Sequence, residues 1–242
     1  MKNQIFRLII FFIFGSRLMA QDVAFTRIPL IGEMAPEFTA QTTVGKIHFP
    51  DDYPMKWKIL FSHPGDFTPV CSSEILQLAL MQDDFDKLNA KIFVISTDGL
   101  DNHREWVKSL EAINYPGKDP IKIKFPLIPD PDLHISKKYG MLHSYTSTTR
   151  DVRGVFIIDP NDRICAVFFY PHNIGRNMEE VKRTLIALQT SEKYDVLTPV
   201  NWSPGGKVME KNPTQNEANK APGKRRTNPS VFPWYMSFIN LP

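Results

Sequence analysis

The sequence predicts an α/β fold with helices flanking a mixed β-sheet, followed by a C-terminal extension. Three observations support this: strand-like apolar runs alternate with helical patterns, two β-rich runs close the series as a hairpin, and the periodicity ends after Ser191. A chain of 242 residues is long enough to bury one core and carry an appendage. We expect a main domain at 27–190 and an extension at 191–242.

The elements can be placed in order along the chain. Trp57–Phe61 reads as a strand that stops at Pro64 and Gly65. Thr68 and Pro69 then suit the N-cap and first position of a helix. The later elements are a strand at 91–96, a helix capped by Asp101, a strand at 125–128, a helix ending at Gly140, a hairpin of strands 154–158 and 164–170, and a helix capped by Asn177. The first helix should bury its apolar positions, which are Ile75, Leu76, Ala79, Leu80 and Leu88.

The N-terminal segment 1–20 has the layout of a secretory signal peptide. Basic residues flank the apolar run Leu8–Phe14, and Ala20 offers a cleavage point. The run is far shorter than the ~20 residues that span a bilayer, so no stable membrane span is expected. This predicts export to a periplasmic or extracellular compartment. The alternative is a cytoplasmic protein whose translation begins at Met19.

The charge is distributed unevenly. The formal net charge is +3, and residues 1–20 hold three basic residues and no acidic one, so the chain without them is neutral. Lys207–Arg226 contains six basic residues against two acidic ones, which leaves the rest of that chain near −4. Phosphate recognition requires a basic face on the folded domain, so we expect no nucleic-acid binding. The polar stretch 207–229 should be mobile, whereas the apolar run Val231–Leu241 should dock on the core or on a partner subunit.

The chain has two cysteines, Cys71 and Cys165, and no CxxC pair, which excludes the common zinc and dithiol motifs. An oxidising compartment would permit a disulfide between them. Cys165 lies in a strand among apolar neighbours, which favours inert packing. Cys71 falls in the first helical turn after Thr68, where free N–H groups and the helix dipole favour a thiolate. A cation from Arg150 or Arg153 would add to this effect, although a buried core thiol is the alternative interpretation.

The run from Phe61 to Cys71, Phe-Ser-His-Pro-Gly-Asp-Phe-Thr-Pro-Val-Cys, places a proline, a threonine and a cysteine at a characteristic spacing. It resembles the peroxiredoxin family, in particular its 1-Cys, peroxiredoxin 6-like branch. Further similar segments are Met34-Ala-Pro-Glu-Phe, Arg153-Gly-Val-Phe-Ile-Ile-Asp-Pro, Tyr170-Pro with Gly175-Arg-Asn, and Thr198-Pro-Val-Asn-Trp. The resemblance covers about residues 30 to 210 and implies a thioredoxin-like fold.

The resemblance also implies site residues. Cys71 would be the peroxidatic nucleophile, and Thr68 would hydrogen-bond the peroxide and the thiolate. Pro64 would shield the pocket from water, and Arg153 would hold the thiolate and a peroxide oxygen together. Three supporting positions follow from the same comparison: Glu74 would orient Arg153, and His63 and Arg176 are weaker candidates for the pocket edge.

The implied function is that of a thiol-specific peroxidase that reduces hydrogen peroxide and organic hydroperoxides in antioxidant defence and redox homeostasis. Cys71 would become a sulfenic acid, and the chemistry requires no metal, haem or flavin cofactor. Residues 166–242 contain no cysteine, so an external thiol, either a thioredoxin-like protein or a small thiol, would recycle the enzyme. The family resemblance further implies a homodimer or larger homo-oligomer. Some members of the branch carry a lipase serine, but Lys56 occupies that position here.

Two other functions are compatible with parts of the pattern. A non-catalytic redox-sensing or interaction protein could use the same fold. A cysteine hydrolase would need a histidine base beside the thiol, and of the six histidines only His63 is close to Cys71 in sequence.

Overall fold

The computed structural model describes residues 27–114, 120–211, 233 and 235–241. Its strands are β1 (Phe38–Thr42), β2 (Gly45–Phe49), β3 (Trp57–Ser62), β4 (Ala90–Ser96), β5 (Leu127–Pro129), β6 (Arg153–Ile158), β7 (Ile164–Tyr170), β8 (Val196–Leu197), β9 (Val208–Glu210) and β10 (Phe238–Ile239). Its helices are α1 (Pro69–Lys87), α2 (Leu100–Glu111), α3 (His134–Lys138) and α4 (Met178–Tyr194). None of the helices in these ranges is long and apolar enough to cross a bilayer.

A five-stranded mixed sheet forms the centre of the fold, in the order β5-β4-β3-β6-β7. Strands β3, β4 and β5 are parallel, whereas β6 and β7 form an antiparallel hairpin at one side. Alternate residues of β3 point to opposite faces. Ile59 and Phe61 pack with α1, α2 and α4, whereas Leu60 packs with the β1–β2 hairpin and α3. The predicted α/β architecture is confirmed.

The start of α1 is predicted correctly in position but not in every contact. Thr68 is the N-cap residue and Pro69 is the first helical residue, yet the Thr68 side chain makes no capping hydrogen bond. Its hydroxyl instead donates to the carbonyl oxygen of Gly65 at 3.0 Å. The prediction that Leu80 is buried is wrong, since it is 40% exposed. Leu78, which lies on the opposite side of the helix, packs in the core instead.

Other predicted boundaries also shift. Gly99, not Asp101, is the N-cap of α2, and Asp101 lies in the first turn, where its charge suits the helix dipole. Asn177 caps α4 as predicted, because its side chain accepts a hydrogen bond from the Glu180 amide at 3.2 Å. Strand β5 covers a later and shorter stretch than predicted, and α3 ends before Gly140, which adopts a left-handed backbone with φ +61°.

The extension adds a small sheet in the order β10-β9-β8. Trp202 and Val208 pack there with Ala187 of α4, and Ile239 packs against this cluster. The described part of the apolar terminus therefore docks on its own chain. Strand β9 lies inside the stretch predicted to be mobile, but it pairs with β8 and buries Val208, so that prediction is wrong for this part. The rest of that stretch beyond residue 211, and the predicted signal peptide, lie outside the described residues.

Candidate active site

Cys71 lies in the first turn of α1, where the chain leaves the parallel side of the sheet. It is 0% exposed. The turn before the helix is fixed by an unusual backbone at Phe67, which has φ 54°, and by a hydrogen bond of 2.8 Å from the Asp66 amide to the Asp98 carboxylate. Cys71 is thus held at a helix N-terminus, where free N–H groups favour an anion.

Arg153, the first residue of β6, contacts the thiol directly. Its Nη1 atom donates to Cys71 Sγ at 3.2 Å and to Glu74 Oε2 at 2.8 Å. Its Nε and Nη2 atoms donate to the carbonyl oxygen of His172 at 3.1 and 2.6 Å. Arg153 is buried, so it is not a solvated charge at a strand end. The guanidinium is instead fixed on three sides with one N–H group directed at the sulfur.

Glu74 connects Arg153 to a second buried arginine. It lies one helical turn after Cys71, and its Oε1 atom accepts from the backbone amide and Nε of Arg176 at 2.8 and 3.0 Å. Its Oε2 atom accepts from Arg176 Nη2 at 2.7 Å as well as from Arg153. Two guanidinium groups therefore share one carboxylate, which leaves an excess positive charge that a thiolate at Cys71 would neutralise.

The other predicted contacts around the thiol differ in detail. Pro64 is buried in the turn before α1, and its carbonyl oxygen accepts from Arg150 Nη1 at 3.2 Å. Arg150 therefore interacts with the turn and not with the sulfur. Thr68 is half-buried beside the helix start. Within the described ranges, the hydrogen bond to Cys71 Sγ comes from Arg153.

His63 is buried near the site but does not hydrogen-bond the thiol in any of the described contacts. Burial holds the pKa of His63 well below its usual value, and the positive charges of His103, Arg176 and Arg153 act in the same direction. The imidazole is therefore neutral at neutral pH, and its ring centroid lies 5.1 Å from that of Trp106, with the two rings tilted by 37°. Among the hydrogen bonds of the described residues, none joins a histidine ring to Cys71 Sγ, so the thiol–histidine pair that a cysteine hydrolase needs is not formed there.

Cys165 is far from this arrangement. It is the extra residue of a β-bulge, because Ile157 pairs with Ala166 while Ile158 pairs with Ile164. Arg153, which contacts Cys71, lies at the opposite end of β6, and four residues of strand span about 13 Å. A disulfide tolerates Cα separations only up to about 7 Å. Both cysteines are free thiols, and burial raises the pKa of Cys165 to about 11.

Sequence reasoning underestimates Arg176 and misses the carbonyl of His172. The sequence predicts Arg176 at the pocket edge, but it lies in the buried centre and also donates to the carbonyl oxygens of Ser62 and Gly154 at 2.9 and 2.7 Å. The sequence carries no local signal for this burial, because the partners of Arg176 lie far away in the chain. A backbone carbonyl such as that of His172 leaves no signal in the sequence.

Comparison with family models supports these observations. Residues 31–167, more than half of the chain, match the AhpC/TSA family. Residues 187–222 match the C-terminal domain of 1-Cys peroxiredoxin. The first match includes the Cys71 turn and all of β6, and the second begins in α4 and continues into the extension as far as residue 222.

Individual proteins agree with the family models. A peroxiredoxin of Methanosarcina mazei is 46% identical over 211 residues, covering 86% of this chain and 96% of the relative. A peroxiredoxin of Aquifex aeolicus is 43% identical over 76% of this chain and 80% of the relative. A cysteine-to-serine mutant of peroxiredoxin 6 of Arenicola marina superposes with a TM-score of 0.74 at 30% identity, covering 88% and 98% of the two chains. Yeast mitochondrial 1-Cys peroxiredoxin gives 0.76 at 34% identity, covering 88% and 100%. The chain therefore belongs to the peroxiredoxin family of thioredoxin-like, thiol-dependent peroxidases.

Proposed function

We propose that Cys71 is the peroxidatic cysteine of this enzyme and that it reduces hydrogen peroxide and organic hydroperoxides by a 1-Cys cycle. The observation that carries the proposal is the 3.2 Å contact between Arg153 Nη1 and Cys71 Sγ inside a buried cluster that has one positive charge in excess. A thiolate is the state of Cys71 that balances this cluster, and a thiolate is the nucleophile that peroxide reduction needs.

In the proposed reaction, the Cys71 thiolate attacks the terminal oxygen of the hydroperoxide. The S–O bond forms as the O–O bond breaks, and the departing oxygen leaves as an alcohol or water after taking up a proton. Cys71 is left as a sulfenic acid. Arg153 stabilises the negative charge that moves from sulfur to oxygen, because its N–H groups are already fixed in place before the reaction.

Thr68 and Pro64 complete the proposed site. The Thr68 hydroxyl donates its proton to Gly65, so its free lone pairs can accept the proton of a hydroperoxide. Pro64 has no N–H group and is buried in the turn that leads into α1, so it adds no competing hydrogen-bond donor there. Glu74 holds Arg153 and Arg176 in their positions.

An external thiol completes the proposed cycle. The first thiol attacks the sulfenic acid and releases water, and a second thiolate then displaces Cys71 from the mixed disulfide. Cys165 is a poor candidate for this role because of its raised pKa and its place at the bulge. In yeast mitochondrial 1-Cys peroxiredoxin, the thiol resolving mechanism operates via glutathione and thioredoxin systems. We propose the same two classes of reductant here.

Stopped-flow mixing of the reduced protein with one equivalent of hydrogen peroxide tests the assignment. We expect rapid loss of peroxide and a mass gain of one oxygen on the Cys71 peptide, both absent in Cys71→Ser. Cys165→Ser is the matched control and should react like the wild type. A folded protein that does not react would favour the alternative, a non-catalytic redox-sensing or interaction protein on the same fold.

We also propose that two chains associate through the exposed edge of β7, as the smallest homo-oligomer. β7 is the last strand of its sheet, so beyond Ile164, whose backbone bonds Gly32 and Glu33, one row of its backbone groups has no sheet partner among the described residues. The exposed apolar residues Leu30, Ile31 and Met34 continue this surface, because the Gly32 amide bonds the Ile164 carbonyl.

Sedimentation of the reduced protein over a range of concentrations tests this association. Ile31→Glu should weaken it at least tenfold, whereas Val44→Glu, at a similarly exposed apolar residue on the β1–β2 turn, should not. A wild type that stays monomeric at micromolar concentration would contradict the proposal.

We propose, finally, that residues 1–20 direct export of the protein. The support is the sequence layout alone, in which a basic start precedes a short apolar run and a small residue at position 20. Fractionation of the producing cells and mass measurement of the purified chain test this. Loss of residues 1–20 and an extracytoplasmic location are expected, whereas a full-length cytoplasmic chain would refute export.

A further inference from the structure

Ser62, the last residue of β3, makes two hydrogen bonds to the backbone of β6. Its side chain is completely buried. The hydroxyl donates to the carbonyl oxygen of Val152 at 2.7 Å and accepts from the amide of Gly154 at 2.8 Å. These two peptide groups lie immediately before and after Arg153. A single hydroxyl therefore fixes the backbone on both sides of the residue that contacts Cys71.

The regular ladder between β3 and β6 ends just before this point. The paired residues run from Lys58 opposite Ile158 to Phe61 opposite Val155. Beyond that pair, side chains connect the two strands. Besides the Ser62 hydroxyl, Arg176 Nη1 joins the carbonyl oxygens of Ser62 and Gly154. Pairing with β3 therefore does not fix the backbone at Arg153. On that side, the side chains of Ser62 and Arg176 fix it instead.

The absence of a side chain at Gly154 leaves room for the Ser62 hydroxyl. A Cβ atom built at residue 154 would lie 2.9 Å from Ser62 Oγ and 3.1 Å from Phe169 Cε1. The first distance is closer than side-chain atoms normally approach. Any larger residue at this position would push the hydroxyl away from the backbone it holds.

We propose that Ser62 is a positioning residue for the reaction at Cys71, acting by aiming the Arg153 guanidinium at the sulfur. The inference rests on the proposed function of Cys71. Catalytic groups must be held within about 0.5 Å of their productive geometry. Misplacement by about 1 Å can cost about 100-fold in rate. Glu74 and the His172 carbonyl also restrain Arg153, so loss of the hydroxyl should cost roughly tenfold or more without abolishing the reaction.

The first variant is Ser62→Ala, measured as the rate constant for oxidation of reduced Cys71 by hydrogen peroxide. We expect a fall of at least tenfold, and partial recovery in Ser62→Thr, which restores a hydroxyl. Ser191→Ala is the matched control, because the Ser191 hydroxyl also donates to a backbone carbonyl, that of Val196 at 2.6 Å, far from the site. This control should keep the wild-type rate. A folded Ser62→Ala protein with the wild-type rate overturns the proposal.

A double-mutant cycle separates positioning from general stability. Ser62→Ala should lower the rate less than twofold when Arg153 is already Lys, because the residue through which it acts is then impaired. An equal loss in both backgrounds would show that Ser62 acts independently of Arg153 and would overturn the proposal. Gly154→Ala is the second variant, to be used if Ser62→Ala does not fold, because its Cβ atom would displace the Ser62 hydroxyl. Its loss of rate should likewise shrink to less than twofold when Arg153 is Lys. A folded wild type whose Cys71 is not oxidised by peroxide would refute the proposed role of Cys71 as the peroxidatic cysteine.

Discussion

The two ends of the central β3–β6 pair each carry a buried ion pair, and the pairs differ in charge balance. At the active-site end, Glu74 faces both Arg153 and Arg176. At the opposite end, Lys58, which is 0% exposed, pairs with Asp162 alone, whose side chain is 30% exposed. One cluster therefore carries an excess positive charge, whereas the other is neutral.

The two cysteines follow this difference. Cys71 lies against the cluster with excess positive charge, and Arg153 Nη1 donates to its sulfur at 3.2 Å. Cys165 lies near the other end, where burial raises its pKa to about 11 and the negative charge of Asp159 adds to the effect. The two cysteines thus lie in different charge environments, one beside a cluster with excess positive charge and the other near a carboxylate.

The largest effect is expected for Glu74→Gln, which removes the carboxylate that two buried guanidinium groups share. Removal of one partner from a buried ion pair typically costs about 3–5 kcal/mol in the free energy of unfolding. Urea unfolding at pH 7 measures it. Glu180→Gln breaks a pair with Arg183 on the surface and should cost less than about 1 kcal/mol. Equal losses in the two variants would contradict the central role of Glu74.

Arg153→Lys should lower the rate constant for Cys71 oxidation about 100-fold. A lysine has one nitrogen and cannot reach the sulfur, Glu74 and the His172 carbonyl together. Stopped-flow kinetics with hydrogen peroxide measures the change. A variant that reacts as fast as the wild type would show that charge alone, without the planar guanidinium, is sufficient.

Asp151 is a buried acid near the active-site end that does not cancel the excess charge. Burial raises its pKa to about 8, and the charges of Asp130 and Asp98 act in the same direction. Between about pH 4 and 8 the native protein keeps a proton on Asp151 that the unfolded chain has released, so rising pH destabilises the fold. From pH 6 to 8 the wild type should lose about 2 kcal/mol more than Asp151→Asn in urea unfolding. Parallel pH profiles of the two proteins would refute the raised pKa.

Lys58→Met tests the balanced pair. The variant should lose about 1–2 kcal/mol, because Asp162 is partly exposed and can still be solvated after its partner is removed. The rate of peroxide reduction should not change. A loss of rate comparable to that of Arg153→Lys would show that the two ends of the sheet are coupled, contrary to the comparison drawn above.

The smallest effect is expected for Cys165→Ser. The rate of peroxide loss and the single-oxygen product on Cys71 should change less than twofold, since Cys165 is protonated at neutral pH. Mass analysis after oxidation measures the product. A disulfide between the two cysteines in the wild type would instead identify Cys165 as a resolving thiol.

Local patterns in the sequence were sufficient for most of the fold. Alternating strand and helix patterns, the hairpin of strands 154–158 and 164–170 and the Asn177 cap depend on residues close together in the chain, so they can be recognised in short stretches of sequence. Boundaries were less certain, as at Asp101, because a glycine can also serve as an N-cap. The position of Leu80 was mispredicted because its apolar character did not reveal which face of α1 meets the sheet.

The sequence by itself determined the α/β architecture and, through the motif that ends at Cys71, the candidate nucleophile. Only the tertiary structure decided how the charges around it are shared. Glu74 and Arg176 are 102 residues apart, Ser62 and Val152 are 90 apart, and Lys58 meets its partner across 104. Such contacts are set by how the sheet and helices pack, because periodicity reports only that a residue is buried and not which distant residue it meets.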